Sequence, residues 1–395
     1  MTVSVTRITQ LVLSLLPVLV ITLMPGDATS VALDPRERIC LFCGSRAVAD
    51  AVLNVLLFLP FGWVLGRWKG VVPAVGAGLL MSAGLELVQL YLVGRFSSAT
   101  DIVANTLGAG AGAWAGTRKR WPVRVAALAV GASLFAPAFL LPPDPPEGIY
   151  YGQWTAVFGH MEAYRGRILD ARVGGIFTPS RRSSHTDRLR ESLRTGEAVQ
   201  LTVRAGPPPS GPAPVFSIFD HRRRQIFMLG ADSTDVFVRL WRRGTTYRFS
   251  TPEWRWPGAL AGAAPGDTIQ VEFRMGSGGP CLSVDGRVRC LTTGTVVGSW
   301  SLLAPGGQAG LLFETGSVIW ALILGMTLGL LRMRRTWRLL VTLGMLAGVA
   351  TLSGTLPYWP TPWRGMLLVL TGAALTTMLR ASRRRRPTPR TTTTT

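Results

Sequence analysis

Cysteine and histidine are scarce in this chain, and acid is outnumbered by base. Its 395 residues include 4 Cys, 3 His and 21 Asp plus Glu, against 42 Lys plus Arg. The first scarcity removes most metal chemistry. His160, His185 and His221 show no ligand spacing, and Cys40-x-x-Cys43 has no second ligand pair nearby for zinc. That pair reads as a local disulfide, with a redox-active pair as the alternative. The shortage of acid leaves a formal net charge of +21, a balance that could suit nucleic acid. The basic residues are not gathered on one soluble face, however. They recur at the ends of apolar runs, which is the positive-inside pattern of a membrane protein, so no nucleic-acid partner is expected. A cleavable leader is lacking too. Arg7 is nearly the whole basic n-region, and Asp27-Ala28-Thr29-Ser30 is a weak cleavage candidate. The first apolar run is therefore expected to stay as a helix.

What is present is apolar: 48% of residues are hydrophobic and the mean hydropathy is +0.30. That is high for a soluble enzyme and low for a pure membrane bundle, so a mixture is expected. Runs at 8–24, 48–67, 71–93, 100–117, 122–142, 310–331, 336–354 and 363–380 are each about the 20 residues a helix needs to cross the hydrocarbon core. Placing both termini in the cytoplasm puts Arg67, Lys69, Arg118, Lys119, Arg120, Arg124, Arg332, Arg334, Arg335 and Arg338 in inside loops. The fold class expected is an α-helical polytopic bundle of about eight transmembrane helices plus an all-β sandwich. The divisions are 1–142 (five helices), 143–308 (extracytoplasmic β-sandwich), 309–380 (three helices) and 381–395 (basic, Thr-rich cytoplasmic tail).

The sandwich begins after a stiff linker, Pro142-Pro143-Asp144-Pro145-Pro146. Val199–Val203, Val215–Phe219, Gln225–Leu229, Val236–Leu240 and Thr268–Phe273 read as short strands, and turns at strand-length intervals argue for an antiparallel arrangement. Cys281-Leu282-Ser283-Val284-Asp285-Gly286-Arg287-Val288-Arg289-Cys290 carries the sharpest local signal. Asp-Gly is a preferred two-residue hairpin turn. Counting outward from it places Cys281 opposite Cys290, at a non-hydrogen-bonded site with Cα atoms about 4.5 Å apart, within disulfide reach. Ser217-Ile218-Phe219-Asp220, the strand ending Met228-Leu229-Gly230, and Leu282-Ser283-Val284-Asp285-Gly286 resemble a laminin-G or concanavalin-A-like jelly roll. That resemblance implies glycan binding, sometimes with calcium. Glucanases of that fold carry a Glu-x-Asp-x-x-Glu run, which is absent here, so hydrolysis by paired carboxylates is not expected. Asp220, Asp232 and Asp235 have the chemistry of calcium ligands, though nothing in their spacing fixes a site. Trp241, Trp254 and Trp256 could stack on sugar rings or fill the core. Arg222-Arg223-Arg224 could meet an anionic polymer or serve as a solvated turn.

The membrane part carries a polar constellation. Asn54, Glu86, Gln89, Asp101 and Asn105 lie in or at the ends of three successive apolar helices, with Arg95 in a short turn between two of them. Ionisable groups at membrane depth cost several kcal/mol (roughly 2.5–3.5 on insertion scales) and are functional candidates by default. Glu86/Gln89 at i,i+3 and Asp101/Asn105 at i,i+4 each share a helix face. On the assumed topology these residues lie at similar depth on the outer side. They could form a headgroup receptor, an acid and a base with an anion clamp, or an interhelical polar network. Gly108, Gly112 and Gly116 form a close-packing stripe, and Pro60 with Gly62 predicts a kink.

Leu53–Gly62, Glu86-Leu87-Val88-Gln89 and Arg95–Gly108 resemble the VanZ-like family of bacterial envelope proteins over roughly residues 5–140. The resemblance implies a multi-pass protein of the bacterial inner membrane, with a link to glycopeptide sensitivity. Its expected partners are membrane lipid and a wall glycan or lipid-linked precursor, and no cofactor is required. The expectation is a non-enzymatic protein whose sandwich binds glycan. The alternative is an integral-membrane hydrolase or transferase acting on a lipid headgroup, with Glu86 and Asp101 as acid and base.

Overall fold

Four apolar runs become helices: α1 (Val5–Leu23), α2 (Ala47–Lys69), α3 (Val71–Gln89) and α4 (Ala99–Thr117). They come from a computed structural model that describes residues 5–23, 39–41, 44–92, 95–118, 136, 139–158, 161–276, 279–290, 302–303, 367 and 370–371. Among these residues two helices, α2 and α3, are long and apolar enough to cross a membrane. The expectation of eight is corrected to that extent. The helix α4 matches the fourth run in place, but its glycines together with Asp101 and Asn105 dilute its hydropathy. The runs at 310–331 and 336–354 lie outside the described residues, and those at 122–142 and 363–380 almost entirely so.

Backbone proximity explains the glycines. A Cβ on Gly108 would sit 2.4 Å from the Val55 carbonyl oxygen, on Gly112 2.1 Å from that of Leu59, and on Gly116 2.5 Å from that of Trp63. The small-residue stripe of α4 therefore lies directly on α2, as close helix crossing requires. The opposing helix reciprocates, for a Cβ on Gly62 would meet the Ala109 carbonyl at 2.0 Å. The helix α2 continues through Pro60 as one element. A single residue, Gly70, joins α2 to α3 at φ 93°, a backbone setting that favours glycine. Two residues of the first loop form β1 (Ile39–Cys40), which pairs in parallel with β2 (Ser97–Ser98) at the start of α4.

The second half is built from strands β3 (Tyr150–Trp154), β4 (Arg167–Val173), β5 (Ile176–Phe177), β6 (Val199–Arg204), β7 (Ala213–Asp220), β8 (Gln225–Asp232) and β9 (Asp235–Leu240). The series ends with β10 (Glu253–Trp256), β11 (Thr268–Gly276), β12 (Gly279–Val284) and β13 (Arg287–Cys290). They form two antiparallel sheets, ordered β10-β9-β8-β7-β3 and β13-β12-β11-β6-β4-β5. Alternation drives the assembly: β6 buries Val199, Leu201 and Val203 while Gln200 and Arg204 face outward. Both sheets contribute to one core, joined by Phe227 and Trp254 against Phe273 at ring separations of 5.8 and 5.5 Å. All five expected strands are present. The structure adds β3, β4, β5, β10 and the helix α5 (Thr186–Thr195), which buries Leu189 and Leu193 and ends at Gly196 with φ 78°.

The hairpin behaves as counting predicts. Asp285 and Gly286 both have positive φ, 47° and 78°, as a type I′ turn requires. Cys281 pairs with Cys290 in the ladder, the two form a disulfide, and their Cα atoms are 4.0 Å apart.

The loop 242–250, with its one-turn helix α6 (Arg243–Thr246), holds the segments on either side of the sandwich. Arg243 N donates to Pro142 O at 3.0 Å, and Ser250 N to Leu302 O at 2.8 Å. The same loop reaches the bundle, where Ala49 N of α2 donates to Arg248 O at 3.4 Å. It thus satisfies one of the backbone donors left open at a helix N-terminus.

Candidate functional site

The polar constellation assembles at one end of the bundle, beside loop 242–250. The carboxylates of α1–α4 are Asp50, Glu86 and Asp101, and all three lie at this end. The opposite end carries Arg7, Arg67, Lys69 and Arg118.

Within the cluster the groups fall into tiers. Glu86, 4% exposed, accepts a hydrogen bond from the backbone N–H of Ser98 at 2.7 Å, and the Ser97 hydroxyl stands beside it. Ser98 is the N-cap of α4, so Glu86 ties the last turn of α3 to the first of α4. It satisfies a donor that a helix start leaves open, and places negative charge at the positive end of the dipole. Gln89 Nε2 donates to Thr22 O of α1 at 2.9 Å, and Arg95 Nη2 donates to Ile21 O at 3.0 Å. One turn deeper, Asn105 Nδ2 donates to Ser82 Oγ at 2.9 Å, both residues being buried. Asn105 Oδ1 is enclosed and has no hydrogen-bond partner among the described residues.

Asp101 is half-buried in the first turn of α4, within hydrogen-bonding reach of Asn54 and close enough to Asp50, Glu86 and Arg95 for their charges to interact. Asp50 stands one turn ahead of Asn54 on α2 and pairs with Arg46 at 2.6 Å. The structure thus brings all six expected residues to one end, but to different purposes and not at one depth. Sequence reading missed Asp50, Arg46, Ser82, Ser97 and Ser98. The i,i+4 spacing of Asp50 and Asn54 was the available signal for the first; the serines gave none.

Residues 39–41 of the first loop lie against this end. Leu41 O accepts from Thr100 N at 3.3 Å, from Ser98 Oγ at 3.4 Å and from the Thr100 hydroxyl. Cys40 of this strap is disulfide-bonded; Cys43, its expected partner, lies outside the described residues.

In the sandwich the candidates resolve differently. Asp220 is buried and organises the Arg222–Arg224 turn. Its Oδ1 accepts from the backbone N–H groups of Arg222 and Arg224 at 3.0 and 2.8 Å, and its Oδ2 from Arg224 Nε at 2.7 Å. Asp232 and Asp235 face Arg255 Nη1 at 2.6 and 3.4 Å. Among the described residues no group of three His, Cys, Asp or Glu converges to hold a metal. Glu253, missed in the sequence, is fully buried between Arg239 (2.8 Å) and Arg255 (3.0 Å). Burial opposes the Arg255 charge, but Asp232 and Glu253 outweigh it and hold its pKa above the ordinary value. Trp254 is in the core, 1% exposed, while Trp241 and Trp256 are partly buried against it. Arg242 lies beneath the loop with its guanidinium 4.4 Å from the Trp254 ring centre, donating to Leu141 O. Burial pushes it down to about 9, so it stays charged at neutral pH. His185 pairs locally with Ser184, and His160 lies outside the described residues.

Comparison with known proteins bears on the first part of the chain. Residues 3–119 match the VanZ/LLP1 family model, ending with α4 and before the fifth expected span. This supports a VanZ-like domain over the four helices. No curated protein and no solved structure matches the chain.

Proposed function

We propose, from the VanZ/LLP1 match and the geometry of the polar end, that this is a non-enzymatic, multi-pass envelope protein. Its bundle receives the headgroup of a lipid-linked wall precursor, while its extracytoplasmic sandwich, a laminin-G or concanavalin-A-like module, holds glycan. The observation that carries the reading is the collection of half-buried polar groups at one end: Asp50, Asn54 and Asp101. Acceptors in such density suit a ligand rich in hydroxyl or amino donors. Arg46 and Arg95 at the rim suit the phosphate that would link it to lipid. Arg248 of loop 242–250 meets α2 at this same end, which supports a reading in which the two ligands lie near each other.

Catalysis is the second reading, and Glu86 weighs against it. A general acid or base must reach the substrate proton, whereas Glu86 is buried and one of its oxygens is engaged by Ser98 N–H. The test is binding of the full chain in detergent to lipid-linked precursors and wall glycans, with and without calcium. Saturable binding, lost in Asp101→Asn at unchanged melting temperature, is the expected outcome. Turnover of the headgroup that vanishes in Asp101→Asn would replace the receptor reading with the enzyme. No binding by folded protein would end it.

A further inference from the structure

A cavity lies at the basic end of the bundle. Arg7 and Gln10 of α1 converge with Trp63, Val64, Arg67 and Trp68 of α2 around a cavity of about 270 Å³. That is just below the ~300–1,000 Å³ usual for small-molecule pockets, so it is sized for a headgroup and not for a whole lipid. Trp63 and Arg67 are one turn apart on α2, and Arg7 and Gln10 nearly one turn apart on α1, so each helix presents a pair of side chains to the same hollow.

The charges there are held by rings in place of acids. The Arg67 guanidinium lies 4.9 Å from the Trp63 ring centre, and Lys69 Nζ lies 4.8 Å from that of Trp68. No carboxylate pairs with Arg7, Arg67 or Lys69 among the described residues, because those of α1–α4 stand at the other end. A cation–π contact leaves the guanidinium edge free to donate, and Arg matches phosphate with two parallel N–H···O bonds. Tryptophan also belongs at the headgroup level of a bilayer. Basic pockets between helices on the cytoplasmic side suit anionic headgroups.

We infer that the Arg7–Trp63–Arg67 hollow binds the phosphate of an anionic phospholipid headgroup in the leaflet opposite the acidic site. Arg7 and Arg67 clamp the phosphate, Gln10 meets the headgroup hydroxyls, and the indoles line the glycerol region.

The experiment uses the full chain in neutral detergent, titrated with phosphatidylglycerol, phosphatidylcholine or inorganic phosphate at constant ionic strength. Lipid retention is read by native mass spectrometry and stabilisation by thermal melting. Phosphatidylglycerol is expected to be retained selectively. Arg7→Gln/Arg67→Gln is expected to weaken retention at least tenfold, and Arg67→Lys to weaken it several-fold without changing the charge. Arg118→Gln removes a cation of the same end that lies outside the hollow, and is expected to change retention less than twofold. Equal losses in Arg118→Gln and the double variant would overturn the site in favour of diffuse attraction. Equal stabilisation by inorganic phosphate would overturn the lipid as its source. If the double variant does not fold, unchanged retention in Arg67→Lys overturns the clamp.

Discussion

The two halves of this molecule treat buried charge in opposite ways. In the sandwich a carboxylate is matched to guanidinium: Glu253 between Arg239 and Arg255, Asp220 with Arg224, Asp232 and Asp235 with Arg255. In the bundle, polar side chains are spent on the backbone of neighbouring elements, as Glu86 on Ser98 N, Gln89 on Thr22 O and Arg95 on Ile21 O show. A sheet satisfies its backbone in the ladder, so side chains on its outer faces find one another. A helix leaves donors and acceptors open only at its ends, and there an apolar surrounding draws nearby polar side chains to them. The sandwich network is closed on itself, whereas Asp101 has no ion pair among the described residues and remains partly accessible.

The contrast can be broken by mutation. Glu253→Ala should give the largest loss, about 3 kcal/mol, because it strands the partly buried Arg239 guanidinium and takes from Arg255 one of its three carboxylate partners. Chemical denaturation followed by tryptophan fluorescence would measure it, and a loss below about 1 kcal/mol would show the network to be solvated decoration. Replacing both Cys281 and Cys290 by Ser should cost about 2 kcal/mol, the short loop limiting the entropy recovered by the unfolded chain. Melting under reducing and oxidising conditions checks this, and the variant should lose the dependence on reductant contributed by this bond.

In the bundle the expected effects are smaller. Glu86→Ala should lower stability by about 1–2 kcal/mol by orphaning Ser98 N–H, while Glu86→Gln, which keeps an acceptor, should stay within about 0.6 kcal/mol of the parent. Melting of both variants in detergent decides this: equal effects would mean that the negative charge at the α4 N-terminus matters more than the hydrogen bond. Asp101→Asn should change stability least, by under about 0.5 kcal/mol, yet abolish ligand retention. A large drop in abundance with intact binding would move Asp101 into the same structural role as Glu86.

Much of this was legible in the chain itself, though unevenly. The runs at 8–24, 48–67 and 100–117 differ from α1, α2 and α4 by a few residues at most, because helix boundaries follow where apolar character stops. The run at 71–93 outlasts α3, which ends at Gln89 once the helix donors give way to the turn that carries Arg95. The strands β3 and β10 escaped reading because Tyr150-Tyr151-Gly152-Gln153-Trp154 and Glu253-Trp254-Arg255-Trp256 contain glycine or charge where a core pattern is sought. The helix α5 escaped because only Leu189 and Leu193 mark its buried face.

What the sequence by itself determined is whatever depends on spacing along one element. The apolar helices α1–α4, the close-packing face of Gly108, Gly112 and Gly116, and the Cys281–Cys290 pairing across an Asp-Gly turn are all of this kind. Only the tertiary structure decided which polar groups are spent and which stay open. Glu86 and Asp101 look alike in the chain, and their difference arises because Ser98 N–H meets one carboxylate and not the other. Periodicity is a property of a single helix or strand; a hydrogen-bond partner is a property of where two of them meet.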